Sequence, residues 1–257
     1  MKKSQIVTFA KYAFYAFLII LAGSCSNPVD ESEELITKSG KLNANVVSDP
    51  QLKSLAEDWL NWVASFPVSD IPWEDQTGEQ QMKNQPYTSG IFLLAGGGGM
   101  GFNRTVTIPA GYTQVFIPLA NLFTWYAACD PSTVPPDGVS GEEWLGYVSY
   151  WLNNPITMKC RLNNQNMIKD NFRYYRAQTS AITVDTNTQW GVEWGPGECG
   201  SDGENFDAVF LADGYWIIVN LPENNCTLEI QGGINFYQHG GKGGIYKNSV
   251  FYYIDRS

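Results

Sequence analysis

Glu193 lies between Trp190 and Trp194, and this grouping sets the first chemical question for a chain of 257 residues. Aromatic walls lift a carboxyl pKa, and they also stack on the C–H faces of sugars while polar neighbours meet the hydroxyls. The same residues therefore suit glycan binding or acid–base hydrolysis. A glycosidase needs a second carboxylate about 5 to 9.5 Å from the first, and Asp207 is the candidate partner. Trp73 and Trp125 also sit in Gly-, Pro- or Asp-rich surroundings. Trp73, Trp125, Trp190, Glu193 and Trp194 thus form the candidate ligand-binding set, with no residue assigned as catalytic.

Other constellations carry less. His239 is the only histidine, so a multi-histidine metal centre is excluded, and a Ser-His-Asp arrangement would depend on one imidazole in a glycine-rich loop. Neither a Cys-x-x-Cys pair nor a paired histidine occurs, and no metal or cofactor is expected. The run Gly96 to Gly101 follows a strand-like segment but lacks the Gly-Lys-Ser/Thr ending of a phosphate loop and leads into another strand; it reads as a flexible hairpin loop. Asp202 to Asp207 offers oxygen ligands of the kind calcium takes, without the twelve-residue EF-hand spacing, and reads as an acidic turn.

Five cysteines divide by context. Lys2, Lys3 and Lys11 precede an apolar run from Tyr12 to Leu21, then Ala22, Gly23, Ser24 and Cys25. This order resembles a bacterial lipoprotein signal, in which the cysteine is acylated and becomes the first mature residue. The apolar run is too short to cross a hydrocarbon core of about 30 Å. Residues 1–24 are thus expected to be a signal peptide, and 25–48 an acidic tether too poor in apolar residues to fold. The protein is then attached to a membrane through Cys25, on the outer membrane or cell surface. Cys129, Cys160, Cys199 and Cys226 remain, an even number in an oxidising compartment, which predicts two disulfides. Three connectivities are open, and Cys129 with Cys160 and Cys199 with Cys226 is the favoured one.

Composition agrees with an extracytoplasmic role. The formal net charge is −10, charged residues make up only 16% and aromatic residues 14%. An acidic surface repels phosphate backbones, so nucleic acid is excluded as a partner.

The elements that must position these residues are mostly strands. Asp49 and Pro50 are an N-cap and a first helical residue, and Leu52, Leu55, Ala56, Trp59, Leu60 and Val63 recur at helical spacing before Pro67. Ser140 and Glu143 form a capping box for a second helix that runs to Leu152. Strands are predicted over 91–95, 105–108, 114–119, 156–162, 181–184, 226–231 and 249–254. Asp213-Gly214 separates Ala208–Leu211 from Tyr215–Val219, the signature of a type I′ hairpin. The fold class expected is mainly β: an antiparallel β-sandwich over 49–257, with two short helices as caps or insertions.

Several motifs occur in a familiar order: the helix with Trp59 and Trp62, Asp75-Gln76-Thr77-Gly78, Gln85, Ile91 to Gly96, Arg104 to Gly111, Val115 to Asn121 and Ala212 to Trp216. They resemble a widespread family of secreted bacterial proteins of uncharacterised function, marked by a tryptophan helix, a Phe-Leu-Ala-Gly strand and an Arg-x-x-x-(Val/Ile)-Pro-Ala-Gly turn. The chain departs from it at Gln80 and Gln81, where relatives often have cysteine, and at Thr227 and Glu229, where they often show histidine. The resemblance implies no activity. Arg104 is expected to pair with Asp75 or another buried carboxylate, and Gly111 to supply a positive φ after Pro109. Carbohydrate or surface-ligand binding is the leading functional expectation. The alternatives are a carboxylate-dependent hydrolase using Glu193 and Asp207, and a structural or adhesive envelope protein without a small ligand.

Overall fold

Asp49 opens the first element as its sequence dictates. Its carboxylate accepts from the Gln51 N–H at 2.9 Å, Pro50 occupies the first turn, and helix α1 runs Pro50–Ala64. In the computed structural model, residues 49–86, 90–99, 101–127, 152–153, 155–168, 171–184, 208–235 and 245–257 are described. The helix predicted over 140–152 lies outside them apart from Leu152.

Among the described residues ten strands follow: β1 Ile91–Leu93, β2 Gly101–Ile108, β3 Gln114–Ala127, β4 Pro155–Leu162, β5 Gln165–Asn166, β6 Arg176–Gln178, β7 Ile182–Val184, β8 Ala208–Asn220, β9 Cys226–Asn235 and β10 Ile245–Arg256. They form two five-stranded sheets. Sheet A has the order β1-β3-β8-β6, with β7 also on β8; sheet B has the order β2-β10-β9-β4-β5. The protein is mainly β, as its pattern predicted. The sheets are mixed rather than purely antiparallel, because β1 runs parallel to β3 and β2 parallel to β10. The chain alternates between sheets at these points, β1 to β2 and β2 to β3, which brings sequence-distant strands side by side.

Burial defines three layers. Val115, Ile117, Tyr215, Ile217 and Val219 of sheet A share one core with Val106, Ile108, Leu228, Ile230, Val250, Tyr252 and Ile254 of sheet B. The opposite face of sheet A, through Leu93, Phe116, Phe210 and Trp216, packs on Leu52, Trp59, Leu60 and Val63 of α1. The helix is therefore a roof over sheet A and not a cap at the end of a sandwich. Sheet A, buried on both sides, reads as unbroken apolar runs; sheet B alternates, with Cys226, Leu228 and Ile230 inward and Thr227, Glu229 and Gln231 outward.

Asp213-Gly214 is not a turn. β8 passes straight through it, and Asp213 and Gly214 pair with Leu122 and Asn121 of β3. The Asp213 carboxylate is held instead by a buried ion pair with Arg176, Nη2 to Oδ2 at 2.7 Å and Nε to Oδ1 at 3.0 Å. That attraction outweighs desolvation and raises the Arg176 pKa. A Cβ at Gly214 would lie 2.5 Å from Asn121 Cβ and 2.9 Å from Ala120 O, so the missing side chain serves close strand approach beside the bulge at Pro118/Ala120. The hairpin of that type is at Asn163-Asn164, whose φ values of 48° and 65° close β4 onto β5.

Two further expectations change. Cys160 and Cys226 are buried free thiols and not halves of disulfides. They point inward from β4 and β9, opposite Ile230 and Ile254, and pack as small apolar groups. Burial pushes the Cys160 pKa up to about 12 and also raises that of Cys226, so both stay protonated at neutral pH. Cys129 and Cys199 lie outside the described residues. The glycines after β1 are not a loose hairpin: Gly96 and Gly97 are buried, and the Gly97 N–H donates to Asn248 Oδ1 at 2.6 Å. A Cβ on Gly98 would meet Trp73 Cδ1 at 2.8 Å.

Candidate ligand-binding face

The residues singled out by sequence do not gather into one described site. Trp190, Glu193, Trp194, Asp207 and His239 lie outside the described residues, as does Cys25. Trp125 sits in β3, paired with Phe210, and its side chain is not among those described. Trp73, a member of the candidate ligand-binding set, is only 9% exposed and stacks on Trp59 at 6.5 Å between centroids. It is core, and its carbonyl accepts from Arg104 Nη2 at 2.9 Å.

Arg104 itself is fully buried without a carboxylate among its hydrogen-bond partners. Its guanidinium donates to the backbone carbonyls of Asp75, Ala95, Gly96 and Trp73 and to the Tyr252 hydroxyl. The Phe102 ring lies 4.8 Å from its Cζ, a cation–π contact. The Asp75 carboxylate instead accepts from the backbone N–H groups of Thr77, Gly78 and Gln80. Gln81 and Gln85 complete the cluster by bonding Ala95 and Leu93, so that side-chain amides close the open edge of β1. This network ties the roof segment to both sheets. Gly111 takes no positive φ, and the Pro109 carbonyl closes the turn from Tyr112 N–H at 3.0 Å.

The described side chains most suited to a ligand lie on the outer face of sheet B. Strand pairing sets them out in rows. Thr105, Tyr253 and Thr227 stand side by side on β2, β10 and β9; in the next row stand Asn103, Phe251, Glu229 and Arg161, the last on β4. Phe251 and Tyr253 have ring centroids 4.9 Å apart, and Tyr253 is 52% exposed. Around Tyr253 lies an open depression of about 360 Å³, walled by Thr105, Asn163, Asn225, Thr227 and Asp255 and floored by Cys226 and Ile254. Asn163 Oδ1 accepts from the Thr227 N–H at 2.9 Å and Asn225 Oδ1 from the Arg256 N–H at 2.9 Å. Each amide is thus oriented by its oxygen, and its NH2 makes no hydrogen bond among the described residues. Further along, Glu229 pairs with Lys159 and accepts from Gln231 Nε2 at 3.2 Å.

Such a surface can stack a flat apolar ring face on Phe251 and Tyr253 while amides, hydroxyls and a carboxylate meet polar substituents. It is poorly arranged for glycoside hydrolysis. Glu229 and Asp255 share the face, but Glu229 pairs with Phe251, four residues before Asp255, which puts the two roughly 13 Å apart by strand rise. That exceeds the separation of a hydrolytic pair. Sequence reasoning missed the face because Val250 to Ile254 is apolar throughout, which hides its alternation. The partner strand gave the missing signal: Thr227, Glu229 and Gln231 alternate out of phase with the core, and pairing puts Phe251 and Tyr253 on their side.

No protein family, curated protein or solved structure matches the chain. Among the described residues no helix is long and apolar enough to cross a membrane.

Proposed function

We propose that this chain is a lipid-anchored extracytoplasmic module that binds carbohydrate on the outer face of sheet B. The observation that carries the reading is the Phe251–Tyr253 pair on β10, half-buried Phe251 beside exposed Tyr253, bordered by hydrogen-bonding side chains of β2 and β9. Sugars present just such an alternation of apolar ring faces and hydroxyls. The burial of Trp73 favours sheet B over that ring as the binding surface. The anchor rests on the signal-like order of residues 1–25. Membership of the secreted family that the motifs resemble belongs to the same proposal.

A glycan panel probed with the full chain in detergent tests the binding. At least one oligosaccharide should bind, and Tyr253→Ala and Phe251→Ala should each weaken it about tenfold, the loss of one stacking contact of about 1–1.5 kcal/mol. Equal, weak signals from the wild type and the double variant would remove the reading. Labelling with a palmitate analogue should mark the wild type and not Cys25→Ala; an unmarked wild type removes the anchor.

A further inference from the structure

The charges on the outer face of sheet B run against those of the whole chain. The chain carries a net −10, so its long-range field repels anions. The outward residues of sheet B nevertheless hold three cations, Lys159, Arg161 and Lys247, against two acids, Glu229 and Asp255. The arrangement is also polarised along the strands. Asp255 lies beyond Tyr253 at one end, whereas Arg161 shares a row with Phe251, and Lys159 and Lys247 follow towards the other end. Glu229 neutralises Lys159. Arg161 is exposed and makes no ion pair or hydrogen bond among the described residues, and the same holds for Lys247.

We infer that the glycan this face takes is anionic, with a carboxylate or sulfate seated on Arg161 beside a sugar ring stacked on Phe251. The inference rests on the carbohydrate-binding reading above and adds the charge of the ligand. Arg161 and Phe251 are separated by one strand, β9, so their Cα atoms are about 10 Å apart at the usual strand spacing. An arginine side chain is long enough to reach across most of that gap, past Glu229. Its planar fork matches the paired oxygens of a carboxylate or sulfate. Because the net charge of the chain disfavours polyanions, any affinity for one must come from these local contacts, which act well inside a screening length of about 8 Å at physiological salt.

The test titrates the full chain in detergent with two matched pairs of polymers: polygalacturonate against its methyl ester, and dextran sulfate against dextran. The expected result is that one anionic member binds at least tenfold more tightly than its neutral counterpart, identifying carboxylate or sulfate as the group. Arg161→Gln should then bring the anionic member to the level of the neutral one, and Arg161→Lys should recover only part of the difference. Failure to prefer either anionic member, including failure to bind all four, overturns the inference. A preference unchanged in Arg161→Gln also overturns it. The two readings fail separately: a neutral glycan that binds equally well and is lost in Tyr253→Ala leaves the carbohydrate face standing, whereas binding indifferent to Tyr253→Ala and Phe251→Ala removes the face as well.

Discussion

The two outward faces of the sheets are both aromatic, yet they meet opposite fates. On sheet A, Phe116 and Trp216 stack at 5.3 Å under Trp59 of α1, which covers both. Three indoles there have their N–H satisfied by a carbonyl, Trp59 by Leu94, Trp62 by Lys83 and Trp216 by Ala177. On sheet B, Phe251 and Tyr253 touch each other among threonines, asparagines and ion-paired side chains. Aromatic content therefore does not mark a ligand site. What separates a core ring from an open one is whether the chain supplies a cover for it, together with the polar neighbours that a covering element would leave unsatisfied.

The largest effect that distinguishes the faces is on stability. Trp59→Ala removes a side chain that is only 2% exposed and leaves a cavity between roof and sheet, at a cost of about 3–5 kcal/mol. Tyr253→Ala should change stability by no more than about 0.5 kcal/mol while weakening glycan binding. Urea unfolding of both variants, with binding measured on the folded fraction, checks the contrast. Equal destabilisation by the two substitutions would show that the outer face of sheet B is also a packing surface.

A smaller effect separates the two places where a turn sequence interrupts apolar runs. Asp213-Gly214 carries the stronger local hairpin signal and stays in a strand, whereas Asn163-Asn164 makes the turn. The deciding term is tertiary. Straight passage lets Asp213 meet Arg176 in the core and fits Gly214 against β3, while Asn163 and Asn164 stand exposed at the end of β4. Gly214→Ala should accordingly cost about 1–3 kcal/mol through overpacking, and Asn164→Gly, at φ 65°, should leave the urea midpoint nearly unchanged. A neutral Gly214→Ala would mean that β3 and β8 can separate at the bulge without loss.

The same distinction explains how much was legible. Helix α1 and seven of the strand segments were written in local pattern and caps, because each depends on neighbours within a few residues. The parallel pairs β1–β3 and β2–β10 were not, since nothing in a strand says which distant edge it will join. Arg104 was recognisable as structural, but its partners are carbonyls, which no residue type betrays. Thiols at Cys160 and Cys226 looked like disulfide halves by count and compartment alone; their inward register, which makes them core, emerges only once β9 is paired. For the site, sequence singled out tryptophans by their surroundings and thereby included the buried Trp73, while Phe251 and Tyr253 were hidden in an apolar run.

The smallest expected effect concerns acid. Burial acts to raise the Asp75 pKa, but hydrogen bonds from the N–H groups of Thr77, Gln80 and Gly78 and the Thr77 hydroxyl outweigh it, so the carboxyl titrates below its ordinary value. A depressed folded pKa gives stability that is fully present above the unfolded value of about 3.9 and is lost as the pH falls through the folded one. The segment that Asp75 organises joins α1 to the edge of sheet B, where the Thr77 carbonyl accepts from Thr105 N–H at 2.9 Å and the Asp75 carbonyl from Arg104 Nε at 2.6 Å. Acid should therefore loosen the attachment of the roof. Asp75→Asn, which turns one acceptor into a donor facing N–H groups, should be less stable than the wild type at pH 7, and the gap should narrow as the pH drops below about 4. Urea midpoints of the two proteins at pH 7, 4, 3 and 2.5 measure that gap. A gap of constant size across the series would show that Asp75 acts through shape alone and that its charge contributes nothing to holding the covered side together.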